Sequence, residues 1–164
     1  MKDSNKIKLI VFSDTHGVSY GMQEVIAMHP DADCYLHLGD GAPDFEMLCT
    51  SMGLPHNAVC GNCDFGSDLP VERLISFGEF QFFMTHGHTY QAKFSTLPLR
   101  QRGQELGADV ILFGHTHTPL LDYYSDEPKS YYLVNPGALS GVGATFALIE
   151  IRGKNILISH GRLS

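Results

Sequence analysis

The chain has 164 residues, of which 43% are hydrophobic and 18% charged, and its formal net charge is −7. This length is sufficient for one compact domain whose hydrophobic core is stable without disulfide bonds or structural metal ions. We predict a single domain over residues 1–164. The acidic balance argues against a scaffold that grips nucleic acid through a basic face, and no apolar run reaches the length of a membrane span. A small phosphate-bearing substrate stays compatible with this charge, because bound metal ions supply local positive charge.

The amino-terminal segment carries no sign of a secretory signal. Its apolar run, Ile7–Phe12, is too short for the hydrophobic region of a signal peptide, and no small-residue cleavage site follows it. Four cysteines without such a signal are typical of free thiols in a reducing compartment. We therefore expect a cytoplasmic protein.

The first part of the chain alternates apolar runs with segments of helical periodicity. These predict strands at Ile7–Ser13, Cys34–Leu38 and His56–Cys60, and helices at Ser19–Met28 and Pro43–Met52. The order βαβαβ is typical of a parallel sheet with crossover helices.

After Gly66 the pattern is mostly strand. Val71–Phe77 and Glu79–Thr85 predict an antiparallel hairpin hinged at Gly78. The remaining predicted elements are a helix at Leu97–Leu106 and strands at Asp109–Phe113, Leu120–Tyr124, Tyr131–Asn135, Ala144–Arg152 and Asn155–Ser159. The fold class is therefore α/β, with a pair of mixed sheets flanked by helices.

Short polar clusters follow the predicted strands, and a glycine lies in or beside each of them. They are Asp14-Thr15-His16, Gly39-Asp40, Gly61-Asn62-Cys63-Asp64, Thr85-His86-Gly87-His88 and Gly114-His115-Thr116-His117. Loops at strand ends are where α/β proteins assemble sites from residues distant in sequence. One such cluster would carry little weight, but this succession predicts a metal-dependent hydrolase.

Individual clusters differ in how strongly they indicate a metal. Asp14 and His16 leave the same face of a strand end, although a capping Asp and a loop His explain that pair as well. Asp40 after a glycine is, by itself, usually a turn residue. Paired histidines at strand spacing, as at His115 and His117, are hard to explain as packing.

The His86-Gly87-His88 cluster repeats the arrangement of paired histidines. Its glycine lets the backbone approach a site closely, so at least one of the two imidazoles is expected to face inward. Carboxylate and imidazole ligands together suit divalent manganese, iron, cobalt, nickel or zinc.

In this order the clusters resemble the signatures of the calcineurin-like metallophosphoesterase superfamily, over essentially the whole chain. The resemblance is closest to a small prokaryotic branch of presumed phosphodiesterases, whose motifs Gly61-Asn62-Cys63-Asp64, Gly114-His115-Thr116-His117-Thr118-Pro119 and Asn135-Pro136-Gly137 are intact here. It implies a four-layer αββα sandwich of two mixed β-sheets flanked by helices. It also implies two divalent metal ions above the strand ends.

The same resemblance implies a ligand set for each ion. One ion would be held by Asp14, His16 and His117, and the other by Asn62, His86 and His115, with Asp40 shared between them. Manganese is the expected metal, with nickel, iron, cobalt or zinc as alternatives. The implied reaction is hydrolysis of a small phosphoester, foremost a phosphodiester, by in-line attack of a hydroxide shared by the ions. Asp40 and Asn62 are therefore catalytic candidates as well as ligands.

The chain departs from the larger phosphatases of the superfamily at Cys63, where they commonly carry histidine. That histidine is assigned to leaving-group protonation or transition-state stabilisation, and a thiol with an ordinary pKa of about 8.5 is a poor replacement. We therefore expect slow turnover of poor leaving groups and a preference for activated esters or diesters. Cys63, Asp64 and His88 are the further catalytic candidates, with His88 as the alternative acid.

Several residues keep competing interpretations. Cys60-x-x-Cys63 could be a redox dithiol or half a zinc site, but packing is the expected role of Cys60, as of Cys34 and Cys49. His29, His37, His56 and His160 are expected to be bystanders, His37 with a core or hydrogen-bonding role. The Asn135-Pro136-Gly137 segment fits either a turn or a loop at the edge of the site.

Two questions of function and assembly stay open in the sequence. The Tyr123-Tyr124 and Tyr131-Tyr132 pairs fit sheet packing or part of a homo-oligomer contact, in a dimer or tetramer. The alternative to an enzyme is a scaffold with little catalysis, for which the metallophosphoesterase-fold subunit of retromer is a precedent by resemblance. A complete set of competent ligands favours the enzyme.

Overall fold

The computed structural model describes residues 5–163, so residues 1–4 and 164 of the predicted domain lie outside the described part. The described residues form three α-helices, α1 (Tyr20–Met28), α2 (Ala42–Met52) and α3 (Leu97–Glu105). Their strands are β1 (Lys6–Phe12), β2 (Cys34–His37), β3 (His56–Ala58), β4 (Glu72–Phe77), β5 (Phe80–Thr85), β6 (Val110–Leu112), β7 (Leu120–Tyr124), β8 (Tyr131–Asn135), β9 (Thr145–Arg152) and β10 (Asn155–Arg162). No helix among them has the length and apolar character needed to cross a bilayer.

The strands form two mixed five-stranded sheets. The first has the order β10-β9-β1-β2-β3 and the second the order β4-β5-β6-β8-β7. Strands β1, β2 and β3 are parallel, as are β5, β6 and β8, and the other strands run antiparallel to their neighbours. The parallel strands therefore direct their carboxyl ends, and the loops that follow, to one edge of each sheet.

Strand β1 shows why the sequence gives a layered structure. Its apolar run is continuous because both faces of the strand are buried, as is typical of parallel strands. Leu9 and Val11 pack between the two sheets, whereas Ile10 and Phe12 point the other way, towards α1 and α2.

The second sheet has the same two-sided burial. Phe82 and Leu112 face the first sheet, whereas Phe83 and Ile111 pack on the opposite side with Leu99 of α3. Helices α1 and α2 thus cover one sheet and α3 covers the other. The predicted αββα sandwich is confirmed.

Differences from the predicted elements lie mainly at their ends, which differ by one to three residues. A short 3₁₀ helix at His88–Tyr90 was not predicted. Strand β10 continues to Arg162, because it pairs with β9 along its whole length, up to Arg162 opposite Thr145. The polar sequence after Ser159 gave no sign of this pairing.

Cysteine and tyrosine positions resolve some of the open interpretations. Cys34 and Cys49 are buried as predicted, but Cys60 is partly exposed, so packing was too simple a prediction for it. The tyrosines form pairs across β7 and β8, with ring centroids 4.7 Å apart for Tyr123 and Tyr132 and 5.3 Å apart for Tyr124 and Tyr131. Sheet packing therefore accounts for these contacts, and a homo-oligomer stays a prediction.

Candidate metal centre

The predicted ligands lie in the loops that follow the parallel strands. Asp14 and His16 follow β1, Asp40 follows β2, and Asn62 follows β3. From the second sheet, His86 follows β5, and His115 and His117 follow β6. Hydrogen bonds join these loops within each sheet, as from Asp14 N to Gly39 O at 2.9 Å and from Gly114 N to His86 O at 3.0 Å. The His115 N–H, which donates to Asp14 Oδ2 at 3.0 Å, joins loops of the two sheets.

Asp14 forms the floor of this cluster. Its side chain is fully buried, and its Oδ2 accepts hydrogen bonds from Ser13 Oγ at 2.6 Å and from the His115 N–H at 3.0 Å. Its Oδ1 has no hydrogen-bond partner among the described residues. Three imidazole Nε2 atoms approach that oxygen, at 3.3 Å from His117, 3.7 Å from His16 and 3.8 Å from His86. A buried carboxylate oxygen that has no hydrogen-bond partner and faces three imidazole nitrogens is suited to bind a metal ion.

His86 is oriented by its backbone contact. Its Nδ1 lies 2.8 Å from Leu38 O and must donate to that carbonyl, so in the neutral ring Nε2 carries the lone pair. That Nε2 is buried without a hydrogen-bond partner among the described residues and lies 3.3 Å from Asp40 Oδ2. The tautomer therefore presents a lone pair to the cluster, as in histidine ligands held by a carbonyl.

Asp40 lies between the two sheets' loops and is ionised. Its Oδ1 accepts a hydrogen bond from the Cys63 N–H at 2.8 Å, and its Oδ2 faces His86. Burial alone would raise the pKa of Asp40, but the contact with His86 and the Cys63 N–H outweigh it and hold that pKa well below its usual range. A carboxylate whose ionised form is favoured in this way suits a shared metal ligand.

His16 and His117 form the open rim of the cluster. Their Nε2 atoms lie 3.4 Å apart, and their side chains are 38% and 50% exposed. Two imidazoles that aim the same ring nitrogen at one point suit a cation placed between them. The centre thus has a buried acidic floor and a rim that water and substrate can reach.

Two groups of ligand atoms contain six of the seven predicted ligands, all except Asn62, whose exposed side chain donates from Nδ2 to Cys63 Sγ at 3.6 Å. Asp14, His16 and His117 offer one atom each within 4.8 Å of one another, and so do Asp40, His86 and His115. His16, Asp40 and Cys63 form a third group by the same measure. Together with the unpartnered Asp14 Oδ1 and His86 Nε2, these donor sets fit divalent metal ions of the borderline class.

The backbone at the ligands is strained. Positive φ angles, between +48° and +70°, occur at Asp14, His16, Asp40, His115 and His117. A left-handed conformation costs a non-glycine residue roughly 1–2 kcal/mol, although Asp and His adopt it more readily than most. Such strain clusters at functional sites, where the surrounding structure enforces it. The fold therefore holds these side chains in place at a cost in stability.

Asp64, a predicted catalytic candidate, contacts three backbone amides. Its carboxylate accepts hydrogen bonds of 2.8 Å from the N–H groups of Asp40, Gly41 and Gly61. It thereby joins the loop after β2 to the loop after β3. We propose that Asp64 positions Asp40 and does not itself exchange protons with substrate.

His37, for which a core or hydrogen-bonding role was predicted, supports the same loops. Its Nδ1 accepts the Gly39 N–H at 3.0 Å, so its Nε2–H donates to Thr15 Oγ1 at 3.1 Å. Burial lowers the pKa of His37 to about 3, which keeps the ring neutral and this pattern of hydrogen bonds fixed. The position just before Gly39-Asp40 was the only sign of this role in the sequence.

Asn135 and Ser140 are supports that sequence reasoning did not assign. Asn135 Nδ2 donates to Gly114 O at 3.1 Å and to Thr116 Oγ1 at 3.0 Å, which fixes the loop that carries His115 and His117. Ser140 Oγ donates to Asp14 O at 3.0 Å. The Asn135-Pro136-Gly137 segment is therefore both a turn, with Gly137 N–H on Asn135 Oδ1, and an edge of the site.

The two candidates for a general acid lie beside the centre. The Cys63 thiol is exposed. Its slight burial and the negative charges of Asp40 and Asp64 raise its pKa. The His88 ring centroid lies 5.3 Å from that of His86 and 6.2 Å from that of His115. Burial and the nearby His86 lower the pKa of His88, so the ring is neutral near pH 7.

Metal affinity is expected to fall with pH because protons compete for the histidine ligands. Burial lowers the pKa of His86, but Asp40 and the charge of Asp14 outweigh it and raise that pKa above its ordinary value. Burial and His86 lower the pKa of His115. As pH falls through the raised pKa of His86, Mn²⁺ affinity should decrease by about ten-fold per pH unit for each ligand that protonates. Equilibrium dialysis between pH 8 and pH 4 measures this, and undiminished occupancy at pH 4 would contradict the assignment of these ligands.

Fold and site together define a class of protein, the metal-dependent hydrolases that build their centre on the strand ends of an αββα sandwich. Within this class the chain belongs to the calcineurin-like phosphoesterase superfamily, because the sequence pattern of that domain matches residues 7–154. The family implies divalent metal ions, and the donor groups described above fit them.

Individual relatives agree with this membership. The probable metallophosphoesterase YsnB of Bacillus subtilis is 33% identical over 134 residues, which cover 81% of this chain and 75% of the relative. A Streptococcus pneumoniae protein described as a predicted phosphoesterase has a structure with a TM-score of 0.78 and 28% identity, covering 96% of this chain and 90% of that one. These relatives are named as phosphoesterases, as the family name indicates.

A more distant likeness concerns the fold alone. Vps29 from Entamoeba histolytica, whose structure is described as complexed with Zn²⁺, has a TM-score of 0.72 at 19% identity, covering 96% of this chain and 98% of that one. The same architecture therefore occurs in Vacuolar Protein Sorting 29.

Proposed function

We propose that the protein is a dinuclear metal-dependent phosphodiesterase. The observation that carries this proposal is the convergence of Asp14, Asp40 and His86 on a buried floor where Asp14 Oδ1 and His86 Nε2 have no hydrogen-bond partner among the described residues. Buried polar atoms without partners are costly, and bound cations would satisfy both of them.

Each ion has its own residues in this proposal. Asp14, His16 and His117 hold one ion, Asn62, His86 and His115 hold the other, and Asp40 is shared. When bound, the ions supply Lewis-acid polarisation of the phosphoryl oxygens and a water nucleophile at neutral pH. Manganese is proposed as the metal, on the oxygen and imidazole donors that the site offers.

The donor set also favours an anionic substrate. Asp14 and Asp40 carry the ionised charges of the ligand set, and Asn62 contributes a neutral amide where a further carboxylate would have cancelled positive charge. The centre with two divalent ions therefore keeps a net positive charge. The exposed rim of His16 and His117 leaves this charge accessible to a phosphate group from solvent.

A preference for diesters and activated esters follows from the side chains beside the centre. The leaving group of an ester departs more easily when an acid protonates it. Cys63 has a raised pKa and His88 is neutral, so neither is a strong acid at pH 7. The chain is therefore proposed to hydrolyse substrates whose leaving group needs little assistance.

Replacing Cys63 by His should change the leaving-group preference. An imidazole titrates near neutrality, so C63H should accelerate esters of poor leaving groups by about ten-fold or more relative to p-nitrophenyl esters. The measurement is kcat/KM over a series of aryl phosphodiesters with different leaving-group pKa, and C60S serves as the matched thiol control. An unchanged dependence on leaving-group pKa would show that position 63 does not act on the leaving group.

The proposed function is tested by metal analysis followed by hydrolysis assays. Purified protein loaded with Mn²⁺ should hydrolyse bis(p-nitrophenyl) phosphate faster than p-nitrophenyl phosphate, and EDTA should abolish both activities. A protein that binds its metals and hydrolyses neither compound would contradict the proposal. Screening monoesters, diesters and cyclic nucleotides next would narrow the substrate.

The second candidate is a scaffold on the same fold, which the likeness to Vps29 favours. It predicts no hydrolysis of any ester by the metal-loaded protein. The cluster of carboxylate and imidazole donors supports the enzyme.

We also propose a cytoplasmic location. The four cysteines all lie in the described part of the chain and are unpaired, which supports this location.

A further inference from the structure

A groove runs from the metal centre across the amino-terminal end of α2. Its first part has a volume of about 400 Å³ and shares His16, Asp40 and Cys63 with the centre. Pro43, Asp44 and Phe65 also line it. Its second part, of about 340 Å³, meets the first at Gly17 and Asp44 and is lined further by Met47, Leu48 and Ser51. Each part lies within the range of small-molecule sites, about 300–1,000 Å³.

Phe65 is the most prominent side chain on this groove. It is 91% exposed, so it contributes little to the core. A single exposed phenylalanine needs no explanation, and Phe94 is 89% exposed on another loop. Phe65 differs because it lies on the wall of a cavity that opens onto the metal centre.

The loop that carries Phe65 is fixed on its amino-terminal side. The Asp64 carboxylate accepts three backbone N–H groups, and the Asp64 N–H donates to Gly61 O at 3.2 Å. The backbone next to Phe65 is therefore tied to the loops that hold Asp40. An exposed ring on an anchored loop is a platform at a set distance from the metal ligands.

The charge of the groove restricts what lies against this platform. Asp44 is exposed on the groove and shared by both of its parts. A negative charge there disfavours a second phosphate or a carboxylate on the organic part of the substrate. Met47, 72% exposed on the second part, adds an apolar contact beyond Asp44.

We propose that this groove binds the organic group of a phosphodiester, and that Phe65 stacks on an aryl or nucleobase ring that is uncharged or cationic. Aromatic side chains contribute substantially to binding of stacked rings and bases. This inference rests on the proposed function, because the phosphate of the same substrate would lie on the metal ligands. It names the substrate class: diesters with a planar ring rather than polyphosphates.

Binding of two phosphonates with the same anionic head tests the inference. With the Mn²⁺-loaded protein, isothermal titration calorimetry should show phenylphosphonate binding more tightly than methylphosphonate. F65A should weaken the binding of phenylphosphonate by about ten-fold and leave the affinity for methylphosphonate unchanged. The matched variant F94A should change neither affinity. Equal effects of F65A on both ligands, or none on phenylphosphonate, would overturn the role of Phe65.

A second arm tests the charge of the groove. 4-Carboxyphenylphosphonate should bind more weakly than phenylphosphonate. D44N should bind 4-carboxyphenylphosphonate about three-fold more tightly than the wild type does, as expected for removal of an exposed charge. No response to D44N would overturn the charge preference. If methylphosphonate fails to bind the metal-loaded wild-type protein, the proposed function fails as well. If methylphosphonate binds and phenylphosphonate binds no more tightly, only the groove proposal is contradicted.

Discussion

Asp40→Asn should abolish metal loading and turnover together. Two divalent ions about 3.5–4 Å apart repel by roughly 18 kcal/mol at an effective dielectric of 20, and a shared carboxylate is the residue that offsets this repulsion. Asn retains an oxygen that accepts the Cys63 N–H, seen here at 2.8 Å, but removes the charge. We expect kcat/KM to fall by at least about 10³-fold, since several kcal/mol of charge stabilisation is lost.

Loss of activity alone would not distinguish a missing ligand from a misfolded chain. The matched control is D122N, which removes an exposed carboxylate on β7 that is not one of the predicted ligands. D40N should lose bound Mn²⁺ in equilibrium dialysis while keeping the wild-type circular dichroism spectrum, and D122N should match the wild type in both. A fully active, metal-loaded D40N protein would rule out the shared-carboxylate scheme.

Gly61→Ala should disrupt the centre without changing any ligand. A Cβ at position 61 would lie 2.2 Å from Asp40 Oδ1 and 2.5 Å from Asp40 N, closer than real contacts allow. The loop that carries Asp40 must then move, and a misplacement of about 1 Å in a catalytic group costs on the order of 10²-fold in rate. Forcing an atom into so close a packing also destabilises a fold by roughly 1–3 kcal/mol.

Gly66 offers a matched control in the same loop. A Cβ there meets no described atom within 4 Å, although φ is +72°, so G66A carries conformational strain of about 1 kcal/mol without the clash. Thermal unfolding and Mn²⁺ binding are measured for both variants. G61A should lose metal affinity and G66A should keep it. Equal metal affinity in the two variants would show that the close approach of Gly61 to Asp40 is not needed.

Much of the site could be predicted because each ligand belongs to a short motif at the end of a strand. His115-x-His117 and His86-Gly87-His88 carry chemistry that packing does not explain, and the parallel strands bring them to one edge. The supporting contacts could not be predicted. Ser13, His37 and Asp64 act through hydrogen bonds within and between loops. Ser13 donates to the Asp14 carboxylate, and the other two accept backbone N–H groups, but no local pattern encodes these partners.

Sheet order shows the same limit. The sequence predicted which segments are strands, but not that β9 pairs with β1, which places Ile151 beside Ile7. Such pairing depends on which apolar faces fit together after the chain collapses, and residues far apart in sequence decide it. The left-handed backbone of Asp14, Asp40 and His115 likewise follows from tertiary contacts, although Asp and His beside glycine tolerate it.

The central claim is that the clustered side chains hold a pair of divalent ions through a shared carboxylate. Equilibrium dialysis against Mn²⁺, followed by electron paramagnetic resonance of the loaded protein, tests it most directly. We predict two ions per chain whose spectra show magnetic coupling, as expected for ions that share an oxygen ligand. Binding of a single ion, or of two ions without coupling, would contradict the account.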